Sequence, residues 1–167
     1  MRNRGEAIEL DSPYVAVRLD AVEDFVSRFE PPPPVPLRAV DLQARSTIGF
    51  RLEPKGIAAV FRKSWLMLED SEAAKIATEF VAHVMSKAVP FWDRFSDARE
   101  VLRMLSRDDE ESRIYGGPDH FRAEKAVGLA LLLEGTDAAR KLAEKKKSAL
   151  RGDQLLAFKS WAERALV

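Results

Sequence analysis

The chain has 167 residues with 27 basic and 27 acidic side chains, two histidines and no cysteine. The missing thiols exclude disulfide scaffolds, thiolate zinc sites and cysteine nucleophiles, and two histidines exclude a multi-histidine metal site. Zero net charge argues against a general nucleic-acid binder, while 46% hydrophobic and 32% charged residues are the composition of a folded globular chain.

The first half reads mainly as strand. Its opening stretch, MRNRGEAIELDSPY, has no apolar run and is expected not to be a secretory signal. Tyr14–Leu19 alternates Val15, Val17 and Leu19 against Ala16 and Arg18, a strand period. Asp20 with Glu23 three residues on predicts a helix start, and Val22, Phe25, Val26 and Phe29 give that short helix one apolar face. Pro31–Pro34 and Pro36 stop it as a stiff spacer, and a strand is expected to resume over 37–43. Ile48, Phe50 and Leu52 alternate with Thr47, Gly49, Arg51 and Glu53. A type I turn at Glu53–Gly56 and a second strand over 57–68 would close a hairpin across Thr47–Leu68.

The second half reads as helix. Acidic residues from Glu69 to Glu72 suit a helix N-terminus, with Ile76, Ala77, Phe80, Val81, Val84 and Ala88 as the buried stripe up to a stop at Pro90. Ile48, Phe50 and Leu52 are expected to bury against Ile76, Phe80 and Val84. Phe91–Ser106 forms the next helix, with Arg99, Arg103 and Arg107 on its outer face. A polar break over Asp108–Glu111 and Gly116–Pro118 follows. Three helices then run to Gly135, from Thr136 to about Leu150, and over Gln154–Leu166. The longest apolar stretch, Ala126–Leu133, is too short to cross a bilayer. The expected fold is α+β: an antiparallel sheet of three or four strands with helices on one face, followed by a C-terminal three-helix subdomain. The expected division is residues 1–115 and 116–167, packed as one unit, in the cytoplasm and away from membranes.

Few residues point to chemistry. Glu79 and His83 lie four apart on one helix face and could hold a metal or orient a base, but no second His or Cys joins them and a plain helix-surface pair is the favoured reading. Asp119 and His120 follow a Gly-Gly-Pro loop, the kind of helix start that attracts anions, and His120 anchors a small-hydrolase alternative. Asp93, Asp97 and Glu100 are carboxylates among Arg94, Arg99 and Arg103, the pattern of helix salt bridges. Pro33–Arg38 matches a PxxPx-Arg groove ligand. Arg140, Lys141 and Lys145–Lys147 could meet phosphates, which gives a nucleic-acid accessory alternative, although no aromatics interleave with them. No nucleotide-binding, nucleophile-elbow or zinc-protease motif occurs. Catalytic, cofactor and metal residues are therefore read as none.

Charge is uneven along the chain. Residues 69–117 carry 7 basic and 11 acidic side chains, net −4, and residues 118–167 carry 10 and 7, net +3. Asp108, Asp109, Glu110 and Glu111 concentrate the acid and form the expected partner-binding cluster, complementary to a basic partner.

A strand with Ile48-Gly-Phe50, a strand bearing Trp65 and a helix ending Val89-Pro-Phe-Trp-Asp-Arg-Phe95 give residues 47–107 a family likeness. This part resembles a group of small bacterial α+β domains of unknown function that includes presumed immunity proteins found beside polymorphic toxins. The resemblance implies a non-enzymatic protein-binding protein with a protein partner, possibly a toxin, and no cofactor. Oligomeric state is left open.

Overall fold

In a computed structural model, residues 8–11, 14–29, 46–52, 64–67 and 70–167 are described. The fold is α+β and mostly helical. The proline spacer, the strand expected over 37–43, the PxxPx-Arg stretch and the Glu53–Gly56 turn lie outside the described residues.

Four short strands form two pairs. β1 (Ile8–Asp11) runs antiparallel to β4 (Ser64–Met67), with Ile8 opposite Met67 and Asp11 opposite Ser64. β2 (Tyr14–Val17) pairs with β3 (Ile48–Arg51). This corrects two expectations. Among the described residues there is no single sheet of three or four strands, and β3 pairs with β2 rather than closing a hairpin with β4. The reason is visible in burial: Thr47, Ile48 and Gly49 are all buried, so β3 is covered on both faces at that end and lacks the half-exposed alternation of a surface hairpin.

The chain divides into two compact units, one of Met1–Val15 with Phe50–Arg94 and one of Ala16–Gly49 with Phe95–Val167. In the first, a 3₁₀ turn at Asp70–Glu72 leads into α2 (Ala73–His83), which lies against β4. The helix does not stop before Pro90. It widens into a π turn over Val84–Ala88, where the Val89 N–H reaches back five residues to the Val84 carbonyl, and continues as α3 (Val89–Arg94). Proline has no N–H and its ring collides with the carbonyl four residues earlier, so a regular helix could not carry Pro90 here. The wider turn relieves both problems. Of the expected stripe, Ala88 is buried and Ile76, Phe80 and Val84 are half-buried, whereas Ala77 and Val81 face out; His83 and Phe91 are buried as well. Phe50 meets Phe91 edge to face at 5.0 Å.

The second unit is built around one helix. α1 (Asp20–Ser27), α4 (Ala98–Ser106), α5 (Glu110–Gly116), α7 (Thr136–Ala149) and α8 (Gly152–Ala165) all pack on α6 (Asp119–Glu134) or on its immediate neighbours. Every residue from Arg122 to Ala130 is buried. Small side chains make this possible. A Cβ on Gly128 would sit 3.0 Å from the Phe25 ring, so glycine is what lets α1 approach. Trp161 of α8 meets Phe25 edge to face at 6.2 Å and donates its indole N–H to the Val26 carbonyl at 3.3 Å. Gly135, at φ 90°, turns α6 back into α7, and its N–H closes the end of α6 on the Ala130 and Leu131 carbonyls. The three expected C-terminal helices are thus present, but they share their core with α1 and α4 and do not stand as a subdomain of their own. The helix expected over Phe91–Ser106 is interrupted, because Asp97 is extended and caps α4 through its side chain to the Arg99 N–H at 2.8 Å.

Candidate functional site

The densest cluster of ionisable groups lies in the second unit, at the α4–α5 corner. The acidic run there is not a loop but the start of α5. Asp109 caps that helix, accepting from the Ser112 N–H at 2.9 Å, and Glu110 and Glu111 fill its first turn, where the helix dipole favours them. Arg107 pairs with Asp109 at 2.9 Å and also with Glu111. Asp108 turns inward. Its Oδ1 accepts from Lys146 at 2.6 Å and from Arg122 at 3.2 Å, while Arg122 also holds Asp119 at 2.8 Å. Lys146 donates a further bond to the Arg107 carbonyl at 3.1 Å. Side chains of α6 and α7 therefore meet at one carboxylate in the turn between α4 and α5.

The electrostatics follow from unequal access to water. Lys146 and Arg122 side chains are 2% and 3% exposed, whereas Asp108 is 32% exposed. Burial works to raise the Asp108 pKa, but the Lys146 ammonium and Arg122 guanidinium outweigh it and hold the carboxyl below its ordinary value. Lys146 is pushed down by burial, which its share of Asp108 only partly offsets. Around Asp108, two cations (Lys146 and Arg122) stand against two carboxylates (Asp108 and Asp119), so this inner group has no surplus charge with which to hold an anion. The arrangement fixes helix positions rather than presenting a reactive group.

A second buried network binds α1 to α6. Thr47 donates its hydroxyl to Glu23 at 2.8 Å and accepts from the Leu19 N–H at 2.9 Å. Lys125 lies 3.5 Å from Glu23 and donates to the Ser46 carbonyl. The sequence reading missed this pair. Its signal was available: charges at 122, 124 and 125 set among Ala123, Ala126, Gly128 and Ala130 leave no polar face for solvent.

The remaining candidates are placed as follows. His83 is buried rather than on a helix surface, and its Nδ1 lies 2.9 Å from the Glu79 carbonyl. His120 is half-buried with its ring 4.0 Å from Phe121. Burial lowers its pKa, against the opposing pull of Asp119, whose carboxylate is held by Arg122. Glu100 pairs with Arg103. Lys146 points into the protein, which breaks the Lys145–Lys147 run as a surface, and Lys147 pairs with Glu144 at 2.7 Å. Of the expected partner-binding residues, Asp108, Asp109 and Glu111 have internal partners, and Glu110 is exposed. No group of three or more metal-ligating side chains occurs among the described residues, and no helix among them is long and apolar enough to cross a membrane.

In the first unit the notable surface is apolar. Val81, Met85 and Trp92 are 57%, 62% and 43% exposed. Val81 and Met85, four residues apart, lie on one side of α2 and its entry into the π turn, whereas Trp92 follows beyond that turn. Comparison of the chain with protein-family models, curated proteins and solved structures finds no match.

Proposed function

We propose that the chain is a non-enzymatic protein-binding protein that meets its partner through the outer side of α2 and α3. The exposure of Val81, Met85 and Trp92 carries this reading. Single exposed apolar residues are ordinary, but three large ones close together along one helical run are the kind of surface that partners cover. Trp is also among the residues most enriched at the energetic centres of interfaces.

The partner proposed is a toxin, with the chain acting as its immunity protein in the cytoplasm. The likeness of residues 47–107 to immunity-type domains supports that choice. The test is co-expression of the chain with the product of its neighbouring reading frame, scored by growth and by co-elution. Protection and a complex are expected, and both should be lost in Val81→Asp with Met85→Asp while circular dichroism is unchanged. No protection and no complex with the unmodified chain would overturn the immunity reading. Binding that survives the double substitution would overturn the surface.

A further inference from the structure

Resting on the protein-binding reading, we propose that the partner element docking on α2 is an amphipathic helix with an acidic rim. The outward side of α2 and the π turn combines small and large apolar groups. Ala73, Ala74, Ala77, Val81, Ala82 and Met85 are all exposed. The opposite side faces inward: Ile76 and Phe80 are half-buried, His83 is buried, and the helix lies against β4. α2 is therefore already anchored by one face and presents a second apolar one.

Alanines at 73, 74 and 77 leave shallow positions toward the N-terminal end of this face, and Val81 and Met85 rise as ridges beyond them. Ridges entering grooves are how two helices pack at close range. Met suits such a surface because its flexible side chain adapts to a partner's shape. The charge pattern selects the partner's rim. From Ala73 to Trp92 the exposed charged residues are Lys75 and Lys87, one toward each end of the apolar set, and Glu79 is half-buried; just beyond, Asp93 and Arg94 are exposed as one charge of each sign. Lysines bordering an apolar centre are complementary to glutamates or aspartates bordering a leucine-rich helix face. A second copy of this chain would instead bring its own lysine-bordered face against the first, so the charges select a different chain.

The experiment uses the full-length protein, methyl-labelled for NMR, and two 18-residue helical peptides with the same leucine face. One peptide carries glutamates on its polar side and the other lysines. The acidic peptide is expected to shift the Val81 and Met85 methyl signals in a saturable way. Lys75→Glu with Lys87→Glu should weaken its binding about fivefold at low salt, and the loss should shrink at high salt. The basic peptide should bind the unmodified protein more weakly than the acidic one. Equal binding of the two peptides at Val81 and Met85 would overturn the acidic rim while leaving the protein-binding surface standing. Shifts confined to other methyls, or no binding by either peptide, would overturn the docking site itself. Concentration-dependent dimerisation abolished by Met85→Asp would overturn it in favour of a second copy.

Discussion

α2 and α6 are both helices rich in alanine and punctuated by charge, yet one is half in water and the other is enclosed. α2 carries more distinct faces, and its outward apolar residues stay exposed. α6 carries Arg122, Glu124 and Lys125 along with its apolar residues, and all three charges are buried. Enclosure follows from the number of neighbours rather than from a helix's own pattern. α1, α4, α7 and α8 surround α6, and Arg122 and Lys125 persist inside because Asp108, Glu23 and the Ser46 carbonyl meet them there.

The largest expected effect sets the two helices side by side. Val127→Asp would bury an unpaired carboxylate in α6 and should destabilise by about 4 kcal/mol or more. Val81→Asp in α2 should change stability by about 0.5 kcal/mol or less. Urea melts of both variants test this, and similar losses would erase the distinction. Next comes the carboxylate shared by α6 and α7. Asp108→Ala leaves two dry cations without their common partner and should cost about 2–3 kcal/mol, below the usual loss for a buried pair because water reaches this position.

The same carboxylate gives an acid signature. Its pKa is lowered in the folded state, so its contribution is present above the unfolded value of about 4 and is lost as pH falls through the lower folded value. Chemical denaturation of the native chain between about pH 5 and pH 2 should show a loss that is smaller in Asp108→Ala. Equal slopes in the two proteins would assign the acid sensitivity elsewhere. A smaller effect at this corner is expected for Lys146→Met, which removes a cation already disfavoured by burial and leaves Asp108 with Arg122 and solvent. About 1 kcal/mol or less is expected in the same melts. A loss equal to that of Asp108→Ala would show that the lysine, not the carboxylate, holds the corner.

Much of the second unit was legible because its helix ends are written in local chemistry. Gly135 marks the α6–α7 turn, and the sequence reading placed α7 within a residue of its observed span. Asp109 and Asp97 were read by charge alone, and their capping roles appear only once the backbone direction is known. The strand pairs were not legible. β1 with β4 and β2 with β3 are chosen by long-range contacts, whereas a sequence reading favours neighbours joined by a turn. Lys146 looked like one member of a surface run, because its neighbours at 145 and 147 hide that its own position faces Asp108.

The π turn at Val84–Ala88 has a consequence for the length of the chain. A π turn amounts to one residue inserted into an α-helix, absorbed locally so that both flanks keep their facing. The buried positions step by five from His83 to Ala88, then by three to Phe91. A chain of the same fold without proline at position 90 has no need of the extra residue and is expected to be one residue shorter between His83 and Ala88. Pro90→Ala combined with deletion of Lys87 should therefore retain Phe91 against Phe50, whereas deletion of Lys87 alone returns the proline ring to the carbonyl it had escaped.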